Sequence, residues 1–364
     1  MDFLLDGMAA FASIAAALAD GHLAQGVGQP FTGIFNMILA GDIGGTNTRL
    51  AVFDDNVKMV GSPVKFPTAK AGEFEKQVSE LVEKHNLEHA SIAIAGPVKE
   101  GRVTMTNVAN RVYDELAMAK SLKLKSLCFI NDLVANASGI ELLAPAETVT
   151  ILKGVSRAGN RVVVSPGTGL GEGGLVWDGH HHRPSPTEGG HAYFSPSTKL
   201  ECELWSYLND RLPIVRWEDV LSGRGLENIF DFLVAKGEKV EPSVAAELAK
   251  IETPKPGDRA NIIGTAGNTT DCQASCKAVE LFARLLGLEA ANATLKYFAI
   301  GGVFLGGGIP PRFRKVIESD IFKQAFLTHP TMGNLLAEVP VTLVLNDDTA
   351  LQGAALYGYR YGTR

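Results

Sequence analysis

The regular part of the chain begins with short apolar runs that are separated by turns. Residues 37–40 and 49–53 are apolar or alternate between apolar and polar positions, and a glycine-rich turn lies between them. A third run of this kind, 57–63, follows an Asp-Asp-Asn turn at 54–56. Runs of this length joined by tight turns are typical of antiparallel strands. The sequence therefore predicts that a β-meander opens the domain.

Helical and strand patterns then alternate along the rest of the chain. Apolar residues at helical spacing, from Phe74 to Val82, predict a helix over 71–86. Further strands are predicted over 91–95, 127–130, 161–165, 174–177 and 341–345, and further helices over 133–142, 271–299 and 349–360. A strand, a glycine-rich turn and a second strand occur twice, near residue 45 and near residue 168. This repetition predicts two related halves.

Length and charge narrow the class of protein. A chain of 364 residues is too long for one small core and suits two compact lobes with a cleft between them. Hydrophobic residues make up 46% and charged residues 20% of the chain, an ordinary globular composition. The formal net charge is -6, whereas a general nucleic-acid binder needs a basic face, so no nucleic-acid partner is expected. A small anionic ligand can still bind through backbone N–H groups.

The first 36 residues contain an apolar run at 8–19, and its 12 residues are too few to span a bilayer of about 30 Å. An export signal needs basic residues near its start, but the first Lys or Arg of the chain is Arg49. Neither export nor a membrane contact is expected. We interpret 1–36 as an appendage, either an alanine-rich helix with a Gly/Pro loop or translation from a start codon upstream of Met37. A targeting or partner role is the alternative.

Four cysteines, Cys128, Cys202, Cys272 and Cys276, are too few and too scattered for a disulfide framework. We expect reduced thiols and a cytoplasmic protein. Cys272 and Cys276 lie one helical turn apart with no histidine nearby, so they are expected to be ordinary helix residues and not metal ligands. The three histidines at 180–182 are expected to form a polar hairpin turn.

The strongest chemical signal lies between the first two predicted strands. It consists of Gly41, Asp42, Ile43, Gly44, Gly45, Thr46 and Asn47, followed by Thr48 and Arg49. Paired glycines allow positive φ and bring bare N–H groups against phosphate oxygens, while Thr46 and Asn47 add short donors. An acid beside a phosphate site requires a cation between them, so Asp42 is predicted to hold Mg²⁺ through its water shell. An ordinary hairpin turn is the alternative, but it needs only one or two glycines.

A second glycine-rich turn also follows a predicted strand, and it contains Gly167, Thr168 and Gly169. The two turns are predicted to hold a polyphosphate from opposite lobes. Residues 169–174 match the dinucleotide pattern G-x-G-x-x-G, but that motif requires a helix after the glycines, and residues 175–177 predict a strand. No G-x-x-x-x-G-K-[ST] segment occurs, which excludes a P-loop NTPase.

These two turns resemble those of the bacterial-type glucokinases, a family within the superfamily of actin, hexokinase and Hsp70 ATPases. The resemblance runs from Met37 almost to the C-terminus. It implies an α/β, two-lobed actin/hexokinase-like (ribonuclease H-like) ATPase fold, with a nucleotide and sugar cleft between the lobes. The expected domains are a small α/β domain, 37–142 with 346–364, and a large α/β domain, 143–345.

The segment Phe129-Ile130-Asn131-Asp132-Leu133 is similar to the catalytic segment of that family. The resemblance implies that Asp132 is the general base and that Asn131 binds the sugar. An acid at the end of a strand and the start of a helix can be aimed into a cleft from rigid elements. An Asn-Asp pair before a helix is also a common N-cap.

The segment Thr187-Glu188-Gly189-Gly190-His191 resembles the sugar-recognition motif of the family, which implies that Glu188 and His191 face sugar hydroxyls. A further sugar contact falls on Glu218. Hydroxyls that leave water need fixed polar partners. Without the resemblance, the first two would be surface-loop residues and Glu218 a helix-start acid. Residues 301–309 resemble the adenosine-binding segment, whose glycines, Gly307 among them, would let the backbone approach the nucleotide. Residues 347–355 resemble the small-residue helix at the hinge.

The resemblance implies an ATP-dependent kinase that uses Mg²⁺ to phosphorylate the 6-hydroxyl of glucose. The related ROK family carries a cysteine-rich zinc motif after the equivalent of His191, whereas here only Cys202 follows within 80 residues, so no zinc is expected. One alternative is a sugar-responsive regulator, which would need a basic helix-turn-helix before Met37. Another is an actin-like ATPase, which has no use for Glu188 and His191. The range of hexoses, the phosphoryl donor and a homodimer remain open.

Overall fold

The computed structural model describes residues 36–362, except for 46, 71, 97, 106–110, 253, 254, 256, 270 and 271. The expected appendage over 1–36 lies almost wholly outside the described residues. Within them, no helix combines the length and the apolar character that crossing a bilayer requires.

The predicted meander forms one side of a first sheet. Its strands are β1 (Met37–Ile43), β2 (Asn47–Asp54), β3 (Met59–Pro67), β4 (His89–Ile94) and β7 (Ser126–Asn131). In the described chain they lie in the order β3-β2-β1-β4-β7. β1 pairs antiparallel with β2 and parallel with β4, and β4 pairs parallel with β7. A short ribbon, β5 (Arg102–Met105) with β6 (Arg111–Asp114), and helix α2 (Glu115–Ser121) precede β7.

Helices cover both faces of this sheet. Leu39 of β1 shares a core with Phe74 and other residues of α1 (Glu73–His85). Its neighbours Ile38 and Ala40 pack instead with residues of α12 (Thr349–Tyr361). Successive side chains of a strand point to opposite faces, so the two helices lie on opposite sides. This explains why every residue of β1 after Met37 is buried.

A second sheet repeats this arrangement. Its strands are β8 (Thr148–Leu152), β9 (Arg161–Pro166), β10 (Leu170–Trp177), β11 (His182–Pro186), β12 (Gly302–Leu305) and β13 (Val341–Val344). They lie in the order β11-β10-β9-β12-β13-β8. As in the first sheet, an antiparallel meander of three strands is followed by two parallel strands, and β8 is added antiparallel at the edge. The fold is therefore the two-lobed, actin-like α/β fold with two related halves.

The larger half is built around one long helix. Its helices are α4 (Lys199–Asn209), α5 (Gly223–Ala235), α6 (Pro242–Ala249), α7 (Ala260–Thr269), α8 (Gln273–Tyr297), α9 (Arg314–Glu318), α10 (Asp320–Leu327) and α11 (Gly333–Ala337). α8 packs on β9, α5, α7 and α10. In the core between them, Phe282 of α8 lies with Val162 and Val164 of β9. The domain boundaries expected after residues 142 and 345 stay a prediction.

The remaining helix, α3 (Asp132–Gly139), crosses α12 at very short distance. A Cβ atom added to Gly353 would lie 1.8 Å from the carbonyl oxygen of Ala135, and one added to Gly139 would lie 2.0 Å from that of Thr349. Only glycine allows two helix backbones to approach this closely. The residues 347–355 that resemble a small-residue helix therefore form a direct backbone contact with α3.

Several predicted boundaries were wrong at sheet edges. The strand expected over 57–63 is β3, which extends to Pro67 and is mostly exposed, so its apolar pattern is weak. The helix expected over 133–142 ends at Gly139 and continues as a 3-10 turn. The glycine-rich start of β10, at Leu170, lies four residues before the predicted strand at 174. Strands β8, β11 and β12 and the ribbon β5-β6 were not predicted.

The crossing of α3 and α12 predicts a large cost for Gly353→Ala. Alanine favours a helix by about 1 kcal/mol over glycine, but its Cβ would overlap the Ala135 carbonyl oxygen. We expect the free energy of unfolding to fall by about 1–3 kcal/mol. Urea denaturation followed by circular dichroism measures it. Gly223→Ala is the matched control, because its Cβ would meet its nearest atoms at 3.7 Å. Equal midpoints for both variants would contradict the close crossing.

Candidate functional site

The two glycine-rich turns occupy equivalent places in the two sheets and line the same cavity. One joins β1 to β2 and the other joins β9 to β10. A cavity of about 450 Å³ is lined by Gly44, Gly45 and Asn47 of the first turn, by Gly167 and Thr168 of the second, and by residues 306–308 after β12. Three backbone segments with little side-chain bulk thus face one space, which suits a polyphosphate held by N–H groups.

Gly307 shows why this backbone needs glycine. Its φ is +81°, in the left-handed region that side chains disfavour. An added Cβ would also lie 2.4 Å from the carbonyl oxygen of Pro166, which ends β9. The third glycine segment is therefore pressed against the strand that leads into the second turn.

Asp42 lies in this cavity and is held by Arg49. The antiparallel register of β1 and β2 places Arg49 directly across from Asp42. Nη2 of Arg49 donates to Oδ2 of Asp42 at 2.7 Å, and Nη1 donates to the Asp347 carbonyl oxygen at 2.6 Å and to Oδ1 of Asp348 at 3.0 Å. No role was predicted for Arg49 from the sequence. The strand register supplies its pairing with Asp42, but nothing in the sequence brings it to Asp347 and Asp348.

Asp132 lines the same cavity from the first turn of α3, directly after β7. Burial, together with the charges of Asp42 and Glu188, raises the pKa of its carboxyl to about 6. Hydrogen bonds from the backbone oppose the shift, since the Leu133 N–H donates to Oδ1 at 3.0 Å. A carboxyl with a pKa near 6 is ionised at neutral pH and is a stronger base than an ordinary aspartate.

Asn131 caps helix α3. Its Oδ1 accepts from the Leu133 N–H at 2.9 Å, and its Nδ2 donates to the Gly96 carbonyl oxygen at 3.1 Å. The N-cap interpretation is thus confirmed, and one amide hydrogen is still available to a ligand. The cap fixes the start of the helix and so fixes Asp132.

The sugar-site candidates of the second half are joined into a network. The Nδ1 atom of His191 lies 2.9 Å from Nη1 of Arg216, and its Nε2 atom lies 3.9 Å from Oε2 of Glu188. Arg216 in turn lies 3.8 Å from Glu218. Glu188 and His191 are exposed, at 65% and 53% of their side-chain areas, and are available to a ligand. Arg216 was missed, because its position in the sequence gives no sign that it lies beside His191.

Arg216 is itself fixed by the buried Asp219. Its Nε and Nη2 atoms donate to the two carboxylate oxygens at 3.0 Å each. Arg224 donates to the same carboxylate at 2.7 Å and to Oε1 of Glu218 at 3.5 Å. Because Arg216 cannot rotate freely, it orients His191 and Glu218.

Glu218 also connects this network to the second glycine turn. Its Oε2 accepts from the Leu170 N–H at 3.2 Å. A Cβ on Gly169 would lie 2.5 Å from the same oxygen, so the turn passes directly over the carboxylate. The predicted nucleotide turn and the predicted sugar contacts therefore share a backbone segment.

Asn131 and Glu188 line a second cavity of about 570 Å³, together with Thr187 and residues of the first half such as Glu115 and Tyr357. Asn131 and Asp132 are adjacent, so the two cavities lie on either side of the β7–α3 junction. His191 and Glu218 do not line either cavity. The structure thus places Asp132 beside the phosphate turns and two of the sugar candidates in the neighbouring cavity.

Some predicted nucleotide residues have other surroundings. Gly41 lies within β1, where a Cβ would meet Ile92 at 2.7 Å. The Ile43 side chain is buried in the core. Neither they nor Gly169 line the first cavity. Thr46 lies outside the described residues.

Among the described residues, no group of three or more His, Cys, Asp or Glu side chains could hold a metal ion by itself. Cys272 precedes α8 and Cys276 lies in its first turn. The polar turn predicted for the three histidines holds for His180 and His181, whose N–H groups donate to Asp178. It was wrong for His182, which is buried in β11 with its ring 4.8 Å from that of Trp177.

Comparisons with known proteins indicate one family. The sequence model of a family described as Glucokinase matches residues 39–360. A glucokinase of Nostoc sp. is 33% identical over 340 residues, which cover 89% of this chain and 99% of the relative. A glucokinase of Sinorhizobium medicae is 35% identical over 329 residues, which cover 88% of this chain and 91% of the relative.

Solved structures show the same fold. A glucokinase from an Antarctic psychrotroph has a TM-score of 0.75 at 30% identity and covers 88% of this chain and 98% of its own. The Balamuthia mandrillaris glucokinase, in complex with glucose, has a TM-score of 0.72 at 21% identity and covers 89% of this chain and 94% of its own. A ROK family glucokinase from Streptomyces griseus, in complex with glucose and AMPPNP, has a TM-score of 0.59 at 21% identity, covering 88% and 98%. The latter two support the fold alone.

The negative charge of Asp42 lies close enough to Asp132 to affect how its carboxyl titrates. The Asp132 carboxyl should titrate near pH 6, and Asp42→Asn should lower its pKa because a neighbouring negative charge is removed. Carbon-13 NMR of the aspartate carboxyls measures both values, and the signal lost in Asp132→Asn assigns the resonance. Glu188→Gln should give a smaller shift in the same direction. A titration midpoint near pH 4 for Asp132 that shifts in neither variant would contradict the described geometry.

Proposed function

The chain belongs to the glucokinase family, and on that premise we propose which residues carry out its reaction. It is an enzyme that phosphorylates glucose at the expense of ATP. The observation that supports the assignment of residues is the shared cavity, in which two equivalent glycine turns and Asp132 face each other. The acceptor is proposed to be the 6-hydroxyl, which would give glucose 6-phosphate for glycolysis.

The nucleotide phosphates are proposed to lie between the two turns. Backbone N–H groups near Gly44, Gly45 and Gly167, with the side chains of Asn47 and Thr168, would bind phosphate oxygens from both halves. The backbone at Gly307 would contact the adenosine. This arrangement holds the γ-phosphoryl group beside Asp132, which lines the same cavity.

Asp132 is proposed to accept the proton of the attacking hydroxyl. As the sugar oxygen forms its bond to the γ-phosphorus, the bond from that phosphorus to the bridging oxygen breaks, and ADP leaves with the electron pair. The hydroxyl proton passes to the carboxylate of Asp132. The raised pKa of this carboxyl favours the transfer, and its place on a capped helix provides the orientation.

Glucose is proposed to bind between the β7–α3 junction and the network of the second half. Asn131 would contact it from one side, and Glu188, His191 and Glu218 from the other. Arg216 keeps His191 and Glu218 together. Charged and amide groups of this kind supply the partners that sugar hydroxyls lose on leaving water.

The residues also fit a magnesium ion. Two acids, Asp42 and Asp132, face a cavity in which their charges repel each other, and a divalent cation would relieve that repulsion. Mg²⁺ retains much of its water shell and needs few protein ligands, so Asp42 would hold it through water. When bound, the ion would neutralise negative charge on the nucleotide phosphates.

A regulator or an actin-like ATPase on the same fold is not favoured, since the matched family and relatives are glucokinases. Broader hexose use and polyphosphate as a donor are tested by a coupled assay across sugars and donors. A cytoplasmic location is part of the proposal, and it is supported by the scattered cysteines of the sequence.

Asp132→Asn tests the proposed base. The amide cannot accept the proton, so kcat should fall by about 10²- to 10⁴-fold. Binding of glucose and ATP, measured by calorimetry, should stay within a few fold of the wild type. Asp231→Asn, in which a half-buried aspartate of α5 that pairs with Arg259 is changed, is the control and should keep kcat. A near-normal kcat in Asp132→Asn would show that another group is the base.

Glu188→Gln tests sugar recognition. It preserves the shape of the side chain but weakens charge-assisted hydrogen bonds of about 1.5–3 kcal/mol. The KM for glucose should rise by roughly tenfold or more, while the KM for ATP changes little. Glu203→Gln, on the exposed face of α4, is the control. If the KM values for both substrates rose together, Glu188 would not be a sugar contact.

A further inference from the structure

The sugar-recognition segment 187–191 rests on a buried glutamate that the mechanism does not use. A Cβ on Gly189 would lie 2.0 Å from Oε2 of Glu172. The Thr187 hydroxyl donates to the Glu172 carbonyl oxygen at 2.8 Å. Gly190 packs equally tightly on the Leu170 carbonyl oxygen, where a Cβ would lie at 2.2 Å. The position of this turn is therefore set by β10, and the Glu172 side chain is the surface directly beneath Gly189.

Glu172 faces a second buried carboxyl, that of Glu289 on α8. The two residues are 4% and 0% exposed, and their side chains contact each other, so that the charge of Glu289 raises the pKa of the Glu172 carboxyl. Glu289 receives hydrogen bonds from Asn292 at 2.8 Å and from Lys296 at 3.3 Å. Oε1 of Glu172 has no nitrogen or hydroxyl donor among the described residues. Two carboxylates cannot hydrogen-bond without a proton, so a contact between them requires that one be protonated.

The proton belongs on Glu172. Glu289 already has two donors for its charged form, whereas Oε1 of Glu172 has none among the described residues. Burial and the charge of Glu289, opposed by the charge of Lys296, raise the pKa of Glu172 to about 8. Burial also raises the pKa of Glu289. On the strand side, the residue paired with Glu172 is the apolar Val164. On the turn itself, Glu188 and His191 are exposed.

We propose that the protonated Glu172 and Glu289 form a hydrogen-bonded acid pair that holds the turn 187–191 in place, which makes Glu172 a positioning residue for glucose binding. This inference rests on the proposed function, in which Glu188 and His191 contact the sugar. When the pair loses its proton at alkaline pH, two adjacent buried carboxylates repel each other. Gly189 has no space to absorb that displacement, so the turn moves and glucose binding weakens.

The test is the pH dependence of the KM for glucose between pH 6.5 and 9.5. In the wild type this KM should rise severalfold above about pH 8, while kcat changes less. In Glu172→Gln the amide donates to Glu289 at every pH, as the protonated acid does, so the alkaline rise should disappear. Glu289→Gln should also remove the alkaline rise in KM. This variant provides the same test if Glu172→Gln does not fold. Glu172→Ala, which lacks any donor, should show a raised KM across the whole range.

Glu201→Gln is the matched control. Glu201 is a fully buried glutamate of the same half, but it is charged, because Arg284 and Ser197 donate to it. Its replacement should lower stability and leave the alkaline rise in KM as in the wild type. If Glu172 had a merely structural role, Glu172→Gln and Glu201→Gln would have the same pH profile of KM.

Thermal stability gives a readout that is independent of the sugar. Between pH 4.5 and about 8 the unfolded chain has released the Glu172 proton and the folded chain has kept it. Stability of the wild type should therefore fall with rising pH, relative to Glu172→Gln, and the difference in Tm should level off above pH 8. If the difference in Tm between the wild type and Glu172→Gln did not change with pH, the inference that Glu172 is protonated in the folded protein would be overturned.

The kinetic outcomes separate this inference from the proposed function. If Glu188→Gln raises the KM for glucose but Glu172→Gln keeps the alkaline rise of the wild type, the positioning role is overturned and the sugar assignment stands. If Glu188→Gln leaves that KM unaffected, the sugar assignment itself fails. An alkaline rise that is lost in both Glu172→Gln and Glu289→Gln, and kept in Glu201→Gln, supports the acid pair.

Discussion

The backbone contact between α3 and α12 is the interaction on which the geometry of the site depends. α3 begins with Asp132, and α12 begins directly after Asp347 and Asp348. Because Gly139 and Gly353 let the two helices touch, the proposed base is held at a fixed distance from the segment that binds Arg49. Arg49 in turn holds Asp42. Two acids that repel each other are thus kept in one cavity by packing elsewhere.

The repeated sheet topology explains why the cavity has this composition. Each sheet has one turn between the first two strands of its meander. Because both turns line one cavity, a phosphate chain there would meet main-chain donors from two halves, and Lys65 and Arg49 line the same cavity. Main-chain donors add no charge that a solvent counterion could screen. An acidic protein with a net charge of -6 can therefore bind a polyanion.

The sequence predicted the features that depend on local pattern. The glycine turns, the strand and helix around Asn131 and Asp132, and the long helix α8 follow from spacing and residue type within short windows. Edge strands such as β3 were placed poorly, because an exposed strand need not be apolar. Contacts between distant segments, such as Arg49 with Asp348 or Glu172 with Glu289, depend on tertiary packing, which periodicity does not encode.

The contact of Gly169 with Glu218 has a thermodynamic consequence. Gly169 belongs to a turn beside the phosphate cavity, and Glu218 belongs to the network around His191, yet the glycine has no room to move independently of the carboxylate. If the phosphates and the sugar bind as proposed, occupancy of either side would change the binding free energy of the other. Such heterotropic coupling is reciprocal, so the factor by which one substrate alters the affinity for its partner is the same in both directions. The coupling between the two substrates would then pass through the backbone contact of one glycine.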